Sequence, residues 1–394
     1  MDWIACRKRY ERELTERVVP FWEKHSPDRE CGGFITCLDR DGSMYDGNKY
    51  MWPQWRLVYV FAMLYKSRYG AGREDWLQLA RDGFDWLVSH GRTEDGSYYF
   101  QLNREGEPAV APYNIFSDCF AAMGSAALFA ATGEERHRAE AESSMASYLR
   151  RLDNPKGRWE KNLPGKGKRR GLAGYMILAN LAELMRECLG TDQYEKDVQV
   201  AARRVVDDFW NPRLNVLFEN VNLDGGFDLS STEGRLISPG HGLECCWFLL
   251  AYADRVGDKA LAARLCDMVD ALFRFGWDQT YGGLFYFMDA CGKPPGELTH
   301  NMKLAWVQNE ACLAALHAYR ASGDPRFIEW FRRADEWSFT HYPDQEFGEW
   351  FTYLDRRGEV VIQAKGGKWR TLFHLARYLL FASELMRGFA EKAA

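Results

Sequence analysis

Two histidines, His241 and His374, are the side chains of this sequence best suited to moving a proton at neutral pH. An imidazole has an ordinary pKa of about 6.5 and can serve as either acid or base. His241 lies in the segment Ser238-Pro-Gly-His-Gly-Leu-Glu244, where a serine followed by proline is typical of a helix start. His241 and Glu244 are then three residues apart on one helical face. That spacing fits either a carboxylate that orients the imidazole or a helix-end cap.

Two tryptophans each precede a charged residue by four positions on a predicted helix, Trp52 before Arg56 and Trp306 before Glu310. An indole beside a carboxylate suits a sugar, which has an apolar ring face and hydroxyl edges, although an ordinary buried tryptophan has the same spacing. An arginine can stabilise an oxygen that becomes negative in a transition state. A single His-x-x-Glu pair offers only two metal ligands, so we predict no metal site.

A six-fold repeat positions these residues. The segments 28–42, 278–292 and 344–358 each run from an aspartate through an aromatic, strand-like stretch to a glycine, and weaker copies begin at Arg92, Asp153 and Asn211. Each copy predicts a short β-hairpin followed by two helices, as at 53–69 and 73–90. The N-terminal segment and a helix at about 371–391 supply the remaining halves. We therefore predict twelve helices closed into an all-α (α/α)6 barrel, a single domain over residues 1–394.

The repeat also predicts which residues share one end of the barrel. Since each hairpin precedes its inner helix, residues 23–32 positions after each repeat start should converge on one mouth. That window contains Arg56, Asp118, Met176, His241, Glu310 and His374, and Glu244 follows three residues after His241. Convergent polar groups in an aromatic pocket are typical of a binding or catalytic site. We expect Asp118 and Met176 to contact the substrate there, together with the two tryptophans.

The bulk composition argues against several other functions. A net charge of −5 and a pI of about 6.0 do not favour nucleic-acid binding. No apolar run approaches the roughly 18 residues that span a bilayer, and the N-terminal segment has no signal-peptide pattern. The ten cysteines include no CxxC pair, so we expect free thiols and a cytoplasmic protein. The basic run 165–171 lacks P-loop spacing and predicts either a solvated loop or a weak anion site.

Nearly the whole chain resembles the N-acylglucosamine 2-epimerase family, also called renin-binding protein. The segments that carry the resemblance are GGFITCLDRDGSMYD, KYMWPQWR, EGRLISPGHGLE, WDQTYGGLFYFMDA, FGEWFTYLDRRGEV and the KGGKW before His374. The resemblance implies an (α/α)6 barrel, a homodimer, and interconversion of N-acetylglucosamine and N-acetylmannosamine. It also implies activation by ATP without hydrolysis.

The resemblance extends to individual residues. The two catalytic histidines of the family match His241 and His374, and its mouth residues match Arg56, Glu244, Glu310, Trp52 and Trp306. Related cellobiose 2-epimerases and aldose–ketose isomerases carry another histidine where this chain has Met176. A methionine at that position favours the N-acylglucosamine branch.

These observations lead to a mechanistic hypothesis. One histidine removes the proton at C2 of the open-chain sugar, and the other delivers a proton to the opposite face. In this hypothesis Arg56 stabilises O1, Glu244 orients His241, and Glu310 binds hydroxyls or helps to open the ring. The resemblance implies that no metal or nicotinamide is required. The alternatives are an aldose–ketose isomerase or 2-epimerase of free mannose or glucose, a glycoside hydrolase using Glu244 and Glu310, and a non-catalytic binding protein.

Overall fold

Twelve helices follow one another along residues 1–163 and 168–393, the part of the chain that the computed structural model describes. They are α1 (continuous segments Trp3–Arg12, the π-helical Glu13–Val18, and Val19–His25), α2 (Met51–Lys66), α3 (Glu74–His90), α4 (Phe116–Thr132), α5 (Glu135–Arg151), α6 (Leu172–Leu189), α7 (Glu195–Arg204 and the π-helical Val205–Phe209), α8 (Pro239–Val256), α9 (Lys259–Gly276), α10 (Ala305–Ser322), α11 (Pro325–His341) and α12 (Phe373–Ala393). The predicted helices at 53–69, 73–90 and 371–391 correspond to α2, α3 and α12.

The even-numbered helices form a closed inner ring. Each contacts the next in the order α2, α4, α6, α8, α10 and α12, and α12 returns to contact α2. The odd-numbered helices pack outside them, which confirms the predicted (α/α)6 barrel. In the described parts of the chain, no helix has both the length and the apolarity that crossing a membrane requires.

The sequences of the two rings differ for a physical reason. Helix α4, FSDCFAAMGSAALFAAT, is apolar around most of its surface because it is buried between neighbouring inner helices and the outer ring. A side chain at Gly124 would bring its Cβ to 2.9 Å from the carbonyl oxygen of Trp55, so a glycine permits α4 to approach α2 closely. Outer helices such as α9 have one buried face and one charged, exposed face.

Short antiparallel strands lie at the end of the barrel where the inner helices begin. Hairpins form between β1 (Cys37–Leu38) and β2 (Met44–Asp46), β4 (Gln101–Leu102) and β5 (Pro108–Val110), β7 (Trp210–Asn211) and β8 (Val216–Leu217), and β13 (Tyr353–Leu354) and β14 (Val360–Ile362). Further pairs join neighbouring repeats: β3 (Lys49–Tyr50) with β4, β6 (Arg169–Gly171) with β9 (Asn220–Asn222), β10 (Leu236–Ile237) with β11 (Met288–Asp289), and β12 (Lys303–Leu304) with β13. The strand before an inner helix thus pairs with the hairpin region of the next repeat.

The hairpin predicted after Asp153 is wrong for the residues that are described there. Consecutive i→i+3 turns lead into a 3-10 helix at Gly157–Trp159, in a segment where Pro155 has no N–H to donate to a strand ladder. Residues 165–167 of the basic run lie outside the described part of the chain. Its Arg169 belongs to β6, where its guanidinium lies 2.6 Å from the carboxylate of Asp228.

Three repeat-initial aspartates, themselves buried, hold neighbouring repeats together through ion pairs. Asp278 contacts Lys303 of its own repeat at 3.2 Å and accepts a 2.7 Å hydrogen bond from Arg356 of the next. Burial would raise the pKa of the Asp278 carboxyl, but the hydrogen bond from Arg356 and the charge of Lys303 hold it well below its usual value. The same arrangement recurs at Asp28 with Lys49 and Arg104, and at Asp344 with Lys365 and Arg40. The last of these joins the sixth repeat to the first and closes the ring.

Candidate active site

A cavity of about 450 Å³ opens at the mouth of the barrel, among the first turns of the inner helices. The residues predicted for the site that line it are Trp52, Arg56, Met176, His241, Glu244, Trp306 and His374. They come from five inner helices and are distant in sequence. The repeat therefore brings together most of the predicted residues, and it leaves Glu310 and Asp118 outside the lining.

His241 is held by a carboxylate that the sequence reasoning missed. Ser238 caps α8 by accepting a hydrogen bond from the backbone of His241, as predicted. The imidazole Nδ1 lies 3.0 Å from Glu219, which projects from the loop between β8 and β9. The prediction that Glu244 orients His241 is wrong, because Glu244 instead accepts a hydrogen bond of 2.5 Å from Arg377.

The charge of Glu219 sets the protonation of His241. Burial alone would lower the pKa of this imidazole, but the adjacent Glu219 carboxylate outweighs burial and raises the pKa above its ordinary value. With Nδ1 engaged by Glu219, Nε2 is the nitrogen left to face the cavity. His241 is therefore suited to carry a proton toward a bound molecule.

His374 has a carboxylate partner of a different kind. Its Nδ1 lies 2.7 Å from Glu310, which is fully buried below the cavity floor. Glu310 also accepts hydrogen bonds from Trp247 at 2.8 Å and from Arg377 at 2.8 Å. The prediction that Glu310 contacts substrate is wrong, since these three partners enclose it and it does not line the cavity. It positions His374 instead.

The pKa of His374 lies well below its ordinary value. Burial is the main cause; the charge of Glu244 opposes the shift, while those of Arg377 and Arg56 reinforce it. Because Arg377 already compensates the charge of Glu310, the imidazole remains neutral. Its Nδ1–H then donates to Glu310, and the Nε2 lone pair faces the cavity. His374 is therefore suited to accept a proton.

Trp306 lies between the two histidines. Its ring centroid is 5.0 Å from that of His241 and 5.6 Å from that of His374. One half-buried indole thus fixes both imidazoles on either side of α10. A molecule in the cavity can meet two proton-transfer groups of opposite protonation state.

Arg56 and Trp52 face the histidines from α2. The guanidinium of Arg56 lies 4.1 Å from the ring centroid of Phe120 and donates to the carbonyl of Trp369 at 3.2 Å. Burial lowers the pKa of Arg56 to about 10, which leaves it cationic at neutral pH. The ring of Trp52 packs 4.9 Å from that of Trp369. This side of the cavity offers one positive charge in an aromatic surrounding.

The predicted substrate contact by Asp118 is wrong. The residue is fully buried, and its carboxylate accepts hydrogen bonds from the backbone of Tyr98 at 2.8 Å, from Arg151 at 2.8 Å and from Ser147 at 3.0 Å. It ties α4 to the preceding hairpin and to α5. The spacing window correctly predicted the position of Asp118 along the barrel axis. It did not predict the side of α4 from which the side chain projects.

Three residues of the site were missed, and the repeat contains a signal for each of them. Glu219 is eight positions after its repeat start, equivalent to Tyr286 and Thr352, which both line the cavity. Arg377 is 33 positions after its start, the same offset as Glu244 in the fourth repeat. Asn309 lines the cavity and is buried, and its side-chain oxygen accepts no hydrogen bond within the described residues. It is 31 positions after its repeat start and falls inside the spacing window, where only its neighbour Glu310 was singled out.

Within residues 1–163 and 168–393, one group of side chains has ligand atoms close enough to hold a metal ion: Glu244, Glu310 and His374. Arg377 already donates hydrogen bonds to both carboxylates, so its guanidinium group occupies the space between them. The arrangement is that of an ion-paired network that positions a histidine.

Comparison with known proteins identifies the family of the chain. The sequence profile of N-acylglucosamine 2-epimerase (GlcNAc 2-epimerase) matches residues 33–377. The chain is 38% identical over 392 residues to N-acylglucosamine 2-epimerase of Mus musculus, covering 98% of this chain and 93% of the relative, and 38% identical over 401 residues to that of Bos taurus, covering 99% and 93%. A solved structure of cellobiose 2-epimerase from Spirochaeta thermophila superposes with a TM-score of 0.84 at 18% identity, covering 98% of each chain, which supports the fold. The chain belongs to the N-acylglucosamine 2-epimerase family of isomerases.

Proposed function

We propose that this protein interconverts N-acetylglucosamine and N-acetylmannosamine by moving the proton at C2 of the open-chain sugar. The observation that carries the proposal is the pair His241 and His374, which contact one tryptophan and have pKa values displaced in opposite directions. An environment that separates two pKa values in this way assigns an acid and a base. The match to the mouse and bovine enzymes supports the choice of substrate.

The reaction proceeds in two proton transfers. Neutral His374 removes the C2 proton of one epimer, and the electrons of the C2–H bond delocalise onto O1 as an enolate. Protonated His241 then donates its proton to the opposite face of C2, which forms the new C–H bond and inverts the centre. The reverse reaction exchanges the roles of the two imidazoles.

The charged side chains around the two histidines have separate roles in this mechanism. Arg56 faces the histidines across the cavity and is suited to stabilise the negative O1 of the enolate. Glu219 keeps His241 protonated, and Glu310 holds the neutral His374 with its Nε2 toward the substrate. Asn309 offers an amide whose oxygen has no hydrogen-bond partner among the described residues and is suited to bind a sugar hydroxyl.

A glycoside hydrolase on the same barrel fits the geometry less well. Such an enzyme needs a carboxylic acid and a second carboxylate flanking one bond. Glu310 does not line the cavity, and Glu244 is held by Arg377. A protein that only binds a partner would not need two oppositely tuned imidazoles.

The proposal is tested by incubating the protein with N-acetylmannosamine in D2O and following the C2 proton by NMR. We expect N-acetylglucosamine to appear with deuterium at C2. Parallel samples of free mannose and glucose test the alternatives. Conversion of free mannose to fructose or glucose, without turnover of the N-acetyl sugar, would replace this proposal with an aldose–ketose isomerase or a hexose 2-epimerase.

On the family likeness alone, we also propose a homodimer that ATP activates without being hydrolysed. The ten cysteines, none in a disulfide, support the proposal of a reducing compartment such as the cytoplasm. Sedimentation measures the assembly state, and the D2O assay repeated with ATP and with a non-hydrolysable analogue measures activation. Equal rates with and without nucleotide would contradict the proposed activation by ATP.

A further inference from the structure

The cavity has two unlike sides. Helices α8, α10 and α12 contribute His241, Glu244, Asn309, His374 and Arg377. The facing helices α4 and α6 contribute an apolar surface, which we call the acyl wall, made of Phe116, Phe120, Met123, Ala173, Met176 and Ile177. The one polar residue that these two helices add to the lining is Asn180.

We infer that the acyl wall holds the N-acyl group of the substrate and selects N-acyl hexosamines over free hexoses. This inference rests on the proposed function, because it takes C2 to be the reacting carbon. It assigns a substrate contact to α4, the helix for which Asp118 was the only predicted site residue.

The placement follows from the geometry of the enolate. When C2 loses its proton it becomes planar, so its nitrogen lies in the plane of C1, C2 and C3, and the two histidines lie on opposite sides of that plane. In the ring of inner helices, α8 and α12 flank α10, and α4 lies opposite α10. The plane midway between His241 and His374 therefore passes through α10 and α4.

With the carbon chain C1–C2–C3 placed along the barrel axis, between mouth and floor, the nitrogen points toward one of these two helices. Toward α10 the space between the imidazoles is taken by Trp306, whose ring contacts both of them. Toward α4 lie Phe120 and Met123, both at most 4% exposed and without a polar group. The methyl end of an acyl group can pack there, whereas the hydroxyl of a free hexose would lose its hydrogen bonds.

Met123 and Met176 are the side chains to vary, because methionine can be shortened without removing an aromatic ring that Arg56 contacts. We would measure kcat/KM and, by calorimetry, Kd for N-acetyl-, N-propanoyl- and N-butanoylmannosamine. In Met123→Ala, the preference for butanoyl over acetyl should rise by about tenfold relative to the unmodified protein, the effect of one or two methylenes in an apolar pocket. Met176→Ala should shift the preference in the same direction.

Met63→Ala is the matched control, since Met63 lies on α2 and lines the cavity at the other end of the barrel. It should leave the chain-length preference unchanged. An unchanged preference in both wall variants, or a shift produced by Asn309→Ala instead, would overturn the inference. If the unmodified protein turns over no N-acyl sugar, the proposed function fails, and the Kd series still decides whether the acyl chain meets the wall. Failure to bind any of the three sugars overturns the wall as well.

Discussion

His241 and His374 occupy comparable positions near the start of α8 and α12, yet their surroundings differ in one respect that decides their chemistry. Glu219 stands beside His241 with no protein cation bonded to it among the described residues, so its charge acts on the imidazole. Glu310 stands beside His374 but is shared with Arg377, so its charge is already compensated. The comparison shows that a carboxylate next to a histidine can either raise its pKa or merely orient it, depending on a third residue.

The largest effect is expected from removing either imidazole. His374→Ala and His241→Ala should each lower epimerisation by about 10²–10⁴-fold, the usual contribution of one acid–base group. Each variant keeps one base, so each should still exchange the C2 proton of one epimer with D2O, and the two variants should exchange opposite epimers. Two variants that exchange the same epimer, or one that epimerises at the original rate, would contradict the two-base mechanism.

A smaller effect, on the pH dependence of the rate, is expected to distinguish Glu219 from Glu310. The active pair carries one proton, so the rate should fall with rising pH as His241 loses its proton and with falling pH as His374 gains one. Glu219→Gln removes the charge that raises the pKa of His241, so the alkaline limb of the pH–rate profile should move to lower pH. Glu310→Gln should lower kcat through loss of orientation and move that alkaline limb less, because Glu310 contributes less than Glu219 to raising the pKa of His241.

The pH profile of kcat/KM measures both variants against the unmodified protein. Identical displacements of the alkaline limb in Glu219→Gln and Glu310→Gln would mean that the two carboxylates play the same part. That result would show that the two carboxylates do not give His241 and His374 different protonation states.

The sequence contained most of the fold, because the hydrophobic period and the recurring Asp-to-Gly segments each point to six equivalent units. The same period placed His241 and His374 at one mouth. It could not supply their partners. Glu219 reaches His241 from the loop between β8 and β9, 22 residues earlier, and Glu310 reaches His374 across a helix interface. Both contacts depend on side-chain direction and on packing between elements, which helical spacing within one element does not contain.

The pairing of His241 with Glu244 shows the limit of local spacing. Residues three apart on a helix can interact, yet Arg377 on α12 takes Glu244 because a buried guanidinium needs carboxylate partners more than a partly exposed imidazole does. Competition between partners is decided in three dimensions. Local patterns therefore identified the reacting groups better than they identified the groups that tune them.

The smallest effect on activity is expected at Asp118, which lies in the same spacing window as the two histidines but projects away from the cavity. Asp118→Asn removes the ion pair with Arg151 and weakens the bond from the Tyr98 backbone, so it should lower the free energy of unfolding by about 1–3 kcal/mol. At a temperature where the variant is folded, kcat/KM should match the unmodified protein. Urea unfolding and the epimerase assay measure the two quantities on the same sample. A loss of kcat/KM without a loss of stability would return Asp118 to the active site and show that the window alone identifies functional residues.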